Sequence, residues 1–261
     1  MILNSKFTYN VTKIPKFLEN GYISGVDSGI NFVVINPEFY DINIWMKNKG
    51  IEKKSIFGLP YKKYRNTAKT IGANVFTNGP FMHPIGPKKI LSFKIGLKFA
   101  YIFPFWPWKP YGTVIHNGKI IEYEENNTMW FGRVGTGSFH YYKIENKIPK
   151  DAVEGIIGHP VIRNGKILNT SDDSWSSRGS VCCWGLIPFD KEKKSGIILV
   201  VGSRSKTGLI AQKMLDAGVI DAIGVDGGTS AMMGEGNKIF FECKWYKDKI
   251  QKYGLCVTKI K

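Results

Sequence analysis

The stretch from residue 196 to residue 236 constrains the fold of this chain more than any other. Its first part, Ile197 to Val201, is an unbroken run of branched apolar residues, which is typical of a strand covered on both faces. A helical pattern beginning at Thr207 follows. A second apolar strand, Ala222 to Val225, then ends at Asp226. This order predicts a carboxylate at the C-terminal end of a buried strand, where α/β sheets open onto ligand crevices.

The four residues after Asp226 have the composition of a ligand-binding loop. Gly227 and Gly228 let the backbone approach a ligand closely. Thr229 and Ser230 add hydroxyl groups, and amide groups at this point can form a nest for an anion. Asp-Gly is also a common hairpin turn, so a purely structural role for Asp226 stays open.

The composition indicates a folded, basic protein. The 261 residues are 43% hydrophobic and 13% aromatic, which is enough for a substantial core. The formal net charge of +16 favours a polyanionic partner such as nucleic acid, an anionic cell-wall polymer or a phosphorylated sugar. A merely basic surface is the alternative. Nucleic acid is not favoured, because the sequence has no arginine-rich tract and no zinc-finger spacing.

The cysteines do not suggest a metal site or a disulfide framework. None has the C-x-x-C spacing of a zinc or redox site, and adjacent Cys182 and Cys183 are expected on opposite faces of a strand as buried thiols. Asp172 and Asp173 could hold a calcium ion, but they lack the spacing of a calcium-binding loop, so a solvated loop is favoured. No cofactor is expected to be required.

Local patterns predict several strands. Two Asn-Gly turns favour hairpins over Thr113 to Glu122 and Ala152 to Leu168. We expect Asp41 to Met46 to pair with the preceding strand, Gly29 to Ile35, across an Asn-Pro turn. A helix is expected over Tyr61 to Thr70.

Two further predictions concern the N-terminal residues 1–28 and the segment at about residues 83–110. Residues 1–28 are expected to form edge strands, and they lack the apolar core of a signal peptide, so a cytoplasmic or virion-associated protein is expected. An aromatic and basic insertion covers about residues 83–110 and is too short and proline-broken for a transmembrane span. Its rings could stack on sugars, dock at a membrane interface or partner, or cover the core.

Four separate elements resemble the phosphodiester glycosidase family. The strongest is VGSRSKTGLIAQKMLDAGVIDAIGVDGGTSAMM, which is similar to the family's C-terminal signature with a DGGGS element. Asn78-Gly79-Pro80-Phe81 resembles an NGGFF element, although Pro80 removes an amide. Gly158-His159-Pro160 resembles a glycine-proline element that more often has a small residue at the histidine position. SSRGSVCCWG resembles a PRTAVG element and aligns Arg178 with the family's arginine.

This resemblance implies a fold and an activity. It implies one α/β (mixed α+β) domain over residues 29–261, with mixed curved sheets flanked by a few helices. It also implies hydrolysis of a phosphodiester attached to the anomeric carbon of a sugar, with an anionic carbohydrate or phosphorylated sugar as substrate. The expected catalytic residues are Asp226, as the nucleophile or the base for water, and Arg178 and Asn78, which would hold the phosphate. The expected substrate-binding residues are Gly79, His159, Ser203, Arg204, Gly227, Gly228, Thr229 and Ser230.

Two other functions remain compatible with the sequence. Pro80 and His159 depart from the family pattern, which favours a non-catalytic module that binds phosphate-containing cell-wall polymer, for example in a phage particle. Nucleic-acid binding follows from charge alone and ranks last.

Overall fold

The computed structural model of the chain is built mainly from β-strands. It describes residues 21–27, 29–46, 73–79, 82–84, 108–110, 112–122, 129–135, 141–168, 181–188, 195–202, 207–226, 231–236, 238–242 and 253–260. In chain order the strands are β1 Tyr22–Asp27, β2 Ile30–Ile35, β3 Tyr40–Met46, β4 Val75–Asn78, β5 Met82–Pro84, β6 Trp108–Pro110, β7 Val114–His116, β8 Lys119–Glu122, β9 Met129–Val134, β10 Tyr141–Glu145, β11 Ala152–Arg163, β12 Lys166–Ile167, β13 Val181–Pro188, β14 Ser195–Gly202, β15 Asp221–Val225, β16 Met232–Glu235, β17 Lys238–Glu242 and β18 Tyr253–Lys259. One helix, α1 Thr207–Asp216, lies within the described part of the chain.

The strands form two principal sheets. The larger sheet has eleven strands, with β1-β2-β14-β13-β15-β11-β7-β8 as its main order, while β9 and β12 pair with β11 and β10 pairs with β9. The smaller sheet has five strands in the order β17-β16-β4-β18-β3. A separate two-stranded ribbon joins β5 to β6, in the segment predicted to be an aromatic and basic insertion. Residues 99–107 of that segment lie outside the described residues.

The prediction of a mixed α/β domain flanked by a few helices is wrong. The described residues are mostly strand in antiparallel sheets, with a single helix. The strand, helix, strand order at β14, α1 and β15 is present, but β13 lies between the two strands and pairs antiparallel with both. The sequence pattern identifies the crossover without revealing the inserted strand, which comes earlier in the chain. The helix expected over Tyr61 to Thr70 lies outside the described residues.

The alternating faces of the larger sheet build two cores. On one face it packs against the smaller sheet, where Trp184, Leu199 and Ile223 share a buried cluster with Val75 and Val257. On the other face α1 covers the sheet. The helix residues Ile210, Ala211 and Met214 there pack with Cys183 and Val200. The larger sheet is therefore the central layer between α1 and the smaller sheet.

The two Asn-Gly hairpins are confirmed. Asn117 and Asn164 have φ values of 51° and 49°, the left-handed conformation that a type I′ turn requires. The predicted pairing of the strand at Asp41 with the strand before it is wrong. Strand β3 pairs with β18 in the smaller sheet, and Ile42 is buried between the sheets. The chain changes sheets after β2, which the local turn pattern does not encode.

Candidate functional site

Asp226 lies where the larger sheet meets the smaller one. It follows the last residue of β15, Val225, which is paired with Cys182 of β13. The backbone N–H of Asp226 donates a 3.1 Å hydrogen bond to the carbonyl oxygen of Gly79. The side-chain amide of Asn78 donates to the carbonyl oxygen of Asp226. The backbone N–H and the carbonyl oxygen of Asp226 are therefore both hydrogen-bonded to residues at the end of β4, a strand of the smaller sheet.

Asn78 also reaches the start of β16. Its Oδ1 accepts a 3.0 Å hydrogen bond from the backbone N–H of Met232, and its side chain is fully buried. A single carboxamide thus links Asp226 to Met232, which lie on either side of the glycine-rich residues 227–230. Residues 227–230 themselves lie outside the described part of the chain.

Thr77 extends this network toward the larger sheet. Its hydroxyl donates a 2.8 Å hydrogen bond to the carbonyl oxygen of Met232 and lies 3.3 Å from Cys182 Sγ. Either the hydroxyl or the thiol can be the donor in the second contact. Burial raises the pKa of Cys182 to about 12, and the negative charge of Asp226 adds to that shift. Asp226 is therefore close enough to the buried Cys182 thiol to contribute to its raised pKa.

His159 belongs to the neighbouring strand β11. Its register partner is Gly224, two residues before Asp226, and Gly224 is in turn paired with Cys183. Cross-strand partners project to the same face of a sheet, and Cys183 belongs to the core beneath α1. His159 therefore lies on the α1 side of the sheet, opposite the face that carries Cys182.

The structure brings together part of the predicted site. Asp226, Asn78 and Gly79 are in direct contact, and His159 lies one strand away. The remaining predicted residues lie outside the described residues, so their roles stay predictions: Arg178, Ser203, Arg204, Gly227, Gly228, Thr229 and Ser230. The acidic pair at positions 172 and 173 lies outside them as well, and no cluster of potential metal ligands occurs among the described residues.

Thr77 and Cys182 are members of this network that no sequence motif indicates. Thr77 directly precedes the predicted site residue Asn78, and its place in a strand with a buried pattern was the available signal. That pattern does not identify Cys182 as its partner, since the two residues are 105 positions apart.

The sequence profile of the phosphodiester glycosidase family matches residues 72–248. This span contains both β4 and the strand that delivers Asp226. The chain therefore belongs to the phosphodiester glycosidase family, as its motifs predicted. No protein with a curated description matches the chain in sequence.

Solved structures share the fold. The catalytic domain of zebrafish N-acetylglucosamine-1-phosphodiester α-N-acetylglucosaminidase, auto-inhibited by its pro-peptide, matches with a TM-score of 0.62 at 15% identity, covering 92% of this chain and 82% of that one. A hypothetical protein from Synechocystis matches with a TM-score of 0.51 at 15% identity, covering 93% of this chain and 62% of that one. Within the described residues, no helix has the length and apolar character needed to cross a membrane.

Proposed function

We propose that this protein hydrolyses a glycosyl phosphodiester, with the Asp226 carboxylate acting at the anomeric carbon. One observation carries the proposal. Two of the four sequence elements that resemble the family, at Asn78-Gly79 and at Asp226, hydrogen-bond to each other although Asn78 and Asp226 are 148 residues apart. Family membership supports phosphodiester glycosidase activity in general, and the juxtaposition identifies the carboxylate to test.

The proposed reaction explains why a carboxylate is needed. The bond between the anomeric carbon and the phosphate oxygen breaks, a water oxygen bonds to the carbon, and one water proton is released. Positive charge develops on the sugar ring in such transition states. Asp226 stabilises that charge and serves either as the nucleophile or as the base for water. The phosphate is a good leaving group, so a strong general acid is less necessary than for ordinary glycosides.

The phosphate group requires cationic and amide partners. Arg178 is proposed to clamp two phosphate oxygens, since a guanidinium group matches that geometry with parallel hydrogen bonds. Ser203 and Arg204 follow β14, and we propose them for the same pocket, with the amides and hydroxyls of residues 227–230. His159 is proposed at its margin. The net charge of +16 supports an anionic substrate.

The experiment measures reducing sugar released from a glycosyl phosphodiester, starting with an N-acetylglucosamine-1-phosphodiester because the zebrafish relative is named for that substrate. The native protein should release sugar, and Asp226→Asn should reduce kcat by about 10³-fold or more while substrate binding changes little. Asp221→Asn is the matched control. Asp221 begins the same strand and accepts a 3.0 Å hydrogen bond from the Asn164 backbone, which an asparagine side chain can still accept. Undiminished activity in Asp226→Asn would overturn the assignment.

A further inference from the structure

We propose that Thr77 and Asn78 are positioning residues that fix Asp226 for catalysis, and that Asn78 acts through the backbone and not through the phosphate. This inference rests on the proposed function of Asp226. It assigns a role to Thr77, which no sequence motif singled out, and it gives Asn78 a different role from the phosphate contact predicted from the sequence.

The hydrogen-bonding capacity of Asn78 supports this role. A carboxamide offers two donor hydrogens and one acceptor oxygen. The oxygen accepts from the Met232 N–H, and the nitrogen donates to the Asp226 carbonyl. The side chain is buried with 0% relative exposure. Its partners among the described residues are two backbone groups that flank the predicted binding loop and the neighbouring Thr77 hydroxyl, which lies 3.4 Å from Oδ1.

Thr77 completes the clamp at the second of these anchor points. Its hydroxyl donates to the Met232 carbonyl oxygen at 2.8 Å, while the Met232 N–H donates to Asn78 Oδ1 at 3.0 Å. Met232 is therefore held through both its N–H and its C=O by adjacent residues of β4. Thr77 is also fully buried, so water does not compete for these bonds and the low local dielectric strengthens them.

The position of Asp226 is fixed in the same way. Its N–H is bonded to Gly79 at 3.1 Å, and its carbonyl oxygen is bonded to Asn78. Thr77, Asn78 and Gly79 thus hydrogen-bond to two residues that belong to different sheets. Asp226 follows β15 of the larger sheet, and Met232 begins β16 of the smaller sheet. Displacement of a reacting group by about 1 Å can lower a rate by roughly 10²-fold. Loss of this clamp should therefore lower kcat more than it weakens substrate binding.

The first test compares Thr77→Val with Thr77→Ser. Valine has nearly the shape of threonine but cannot hydrogen-bond to Met232, whereas serine keeps the hydroxyl. We expect kcat to fall by about tenfold or more in Thr77→Val, with KM within about threefold of native, and to be largely restored in Thr77→Ser. Equal kcat values in the native protein and Thr77→Val would overturn the role of Thr77.

The second test separates positioning from phosphate binding with Asn78→Ala. Positioning predicts a large fall in kcat, of about 10²-fold, with little change in KM or in competitive inhibition by inorganic phosphate. Direct phosphate binding predicts a raised KM and weaker inhibition, and that result would overturn the inference. Asn43→Ala is the matched control, because Asn43 donates a 3.1 Å hydrogen bond to Thr258 Oγ1 in the same sheet, on β3, which is separated from β4 by β18. It should keep the native kcat.

Hydrogen exchange provides a test that does not depend on activity. The amide of Met232 loses its acceptor in Asn78→Ala, so its exchange should accelerate strongly, while amides of β14 should keep their native rates. Unchanged exchange at Met232 would overturn the clamp. If the native protein fails to hydrolyse any glycosyl phosphodiester but Met232 exchange accelerates in Asn78→Ala, the proposed function fails and the clamp stands. If Asn78→Ala does not fold, Asn78→Leu supplies the same readout, because leucine is close to asparagine in size and also lacks an acceptor for the Met232 N–H.

Discussion

Thr77 Oγ1 lies 3.3 Å from Cys182 Sγ, and this contact joins the smaller sheet to the larger one. It adds a polar contact to the mainly apolar cluster that includes Cys182. Cys182 is fully buried, and this burial is the main reason that its thiol has a pKa of about 12. The thiol is therefore protonated at neutral pH.

The first prediction concerns thiol reactivity. Only the thiolate reacts readily with alkylating reagents, and burial also raises the pKa of Cys183. In the folded protein at pH 8, Cys182 and Cys183 should therefore remain unlabelled by iodoacetamide under conditions that label both in denaturant. Peptide mass spectrometry after a timed pulse measures the labelling at each cysteine. Rapid native labelling of Cys182 would contradict its burial.

The second prediction concerns stability in alkali. In the unfolded chain the Cys182 thiol ionises near the ordinary cysteine pKa of 9.0, whereas in the folded protein it stays protonated up to about pH 12. The folded state then binds more protons, so the free energy of unfolding must fall as pH rises through this window. The contribution of this thiol falls by up to about 1.4 kcal/mol per pH unit.

Cys182→Ala isolates that contribution. Burial also raises the pKa of Tyr142, but the contribution of Tyr142 to the pH dependence of stability is the same in the native protein and in the variant. The variant should be less stable at pH 7 because it lacks the sulfur. Its urea-derived free energy of unfolding should nevertheless decline less steeply than that of the native protein between pH 9 and pH 11. Parallel declines in the two proteins would contradict the assigned pKa.

The elements at the centre of the chain were predictable because their signals are local. The helix begins at Thr207, where the sequence pattern predicted its start, and Gly218 adopts φ 91° beyond its end. The Asn-Gly turns carry their own conformational requirement. By contrast, β13 lies between β14 and β15 although it precedes both in the chain. Which strand pairs at that place depends on competition between strands for the same sheet edge, and this competition leaves no periodic signal in the sequence.

The candidate site was predictable only in part, for the same reason. The family resemblance identified Asn78 and Asp226 as members of one site, and their hydrogen bond joins positions 148 residues apart. The resemblance did not indicate that Asn78 would bond to the backbone on both sides of the loop. Those hydrogen bonds depend on how β4 packs in the smaller sheet and against the larger one. This packing is set by residues distant in the sequence.

The third prediction uses two glycines with opposite surroundings. A Cβ atom on Gly158 would lie 2.6 Å from the backbone oxygen of Gly224 and 2.9 Å from Ile223 Cδ1. Gly158→Ala should therefore destabilise the protein by about 1–3 kcal/mol through overpacking. A Cβ atom on Gly208, in the exposed first turn of α1, would meet no atom of the described residues within 4 Å. Gly208→Ala should instead stabilise by about 0.5–1 kcal/mol. Urea unfolding measures both changes, and a neutral Gly158→Ala would refute the close approach of β11 to β15.

The last prediction concerns a buried carboxylate outside the candidate site. Glu154 is 2% exposed, and its two oxygens contact the Asn117 backbone N–H at 2.9 Å and His116 Nδ1 at 3.0 Å. These contacts attach the tip of the first Asn-Gly hairpin to β11. Hydrogen bonds to a carboxylate contribute about 1.5–3 kcal/mol each, and removing the Glu154 side chain removes both contacts.

Glu154→Ala should accordingly lower the free energy of unfolding by about 2 kcal/mol or more, with faster hydrogen exchange at Asn117. Glu145→Ala is the comparison, because that carboxylate is 43% exposed and lies 4.0 Å from Arg163. Exposed ion pairs of this kind contribute at most about 1 kcal/mol. Urea unfolding of the two variants at one ionic strength compares the carboxylates directly. Equal losses in both variants would mean that the hairpin is not held by Glu154, and the exchange rate at Asn117 would then stay native.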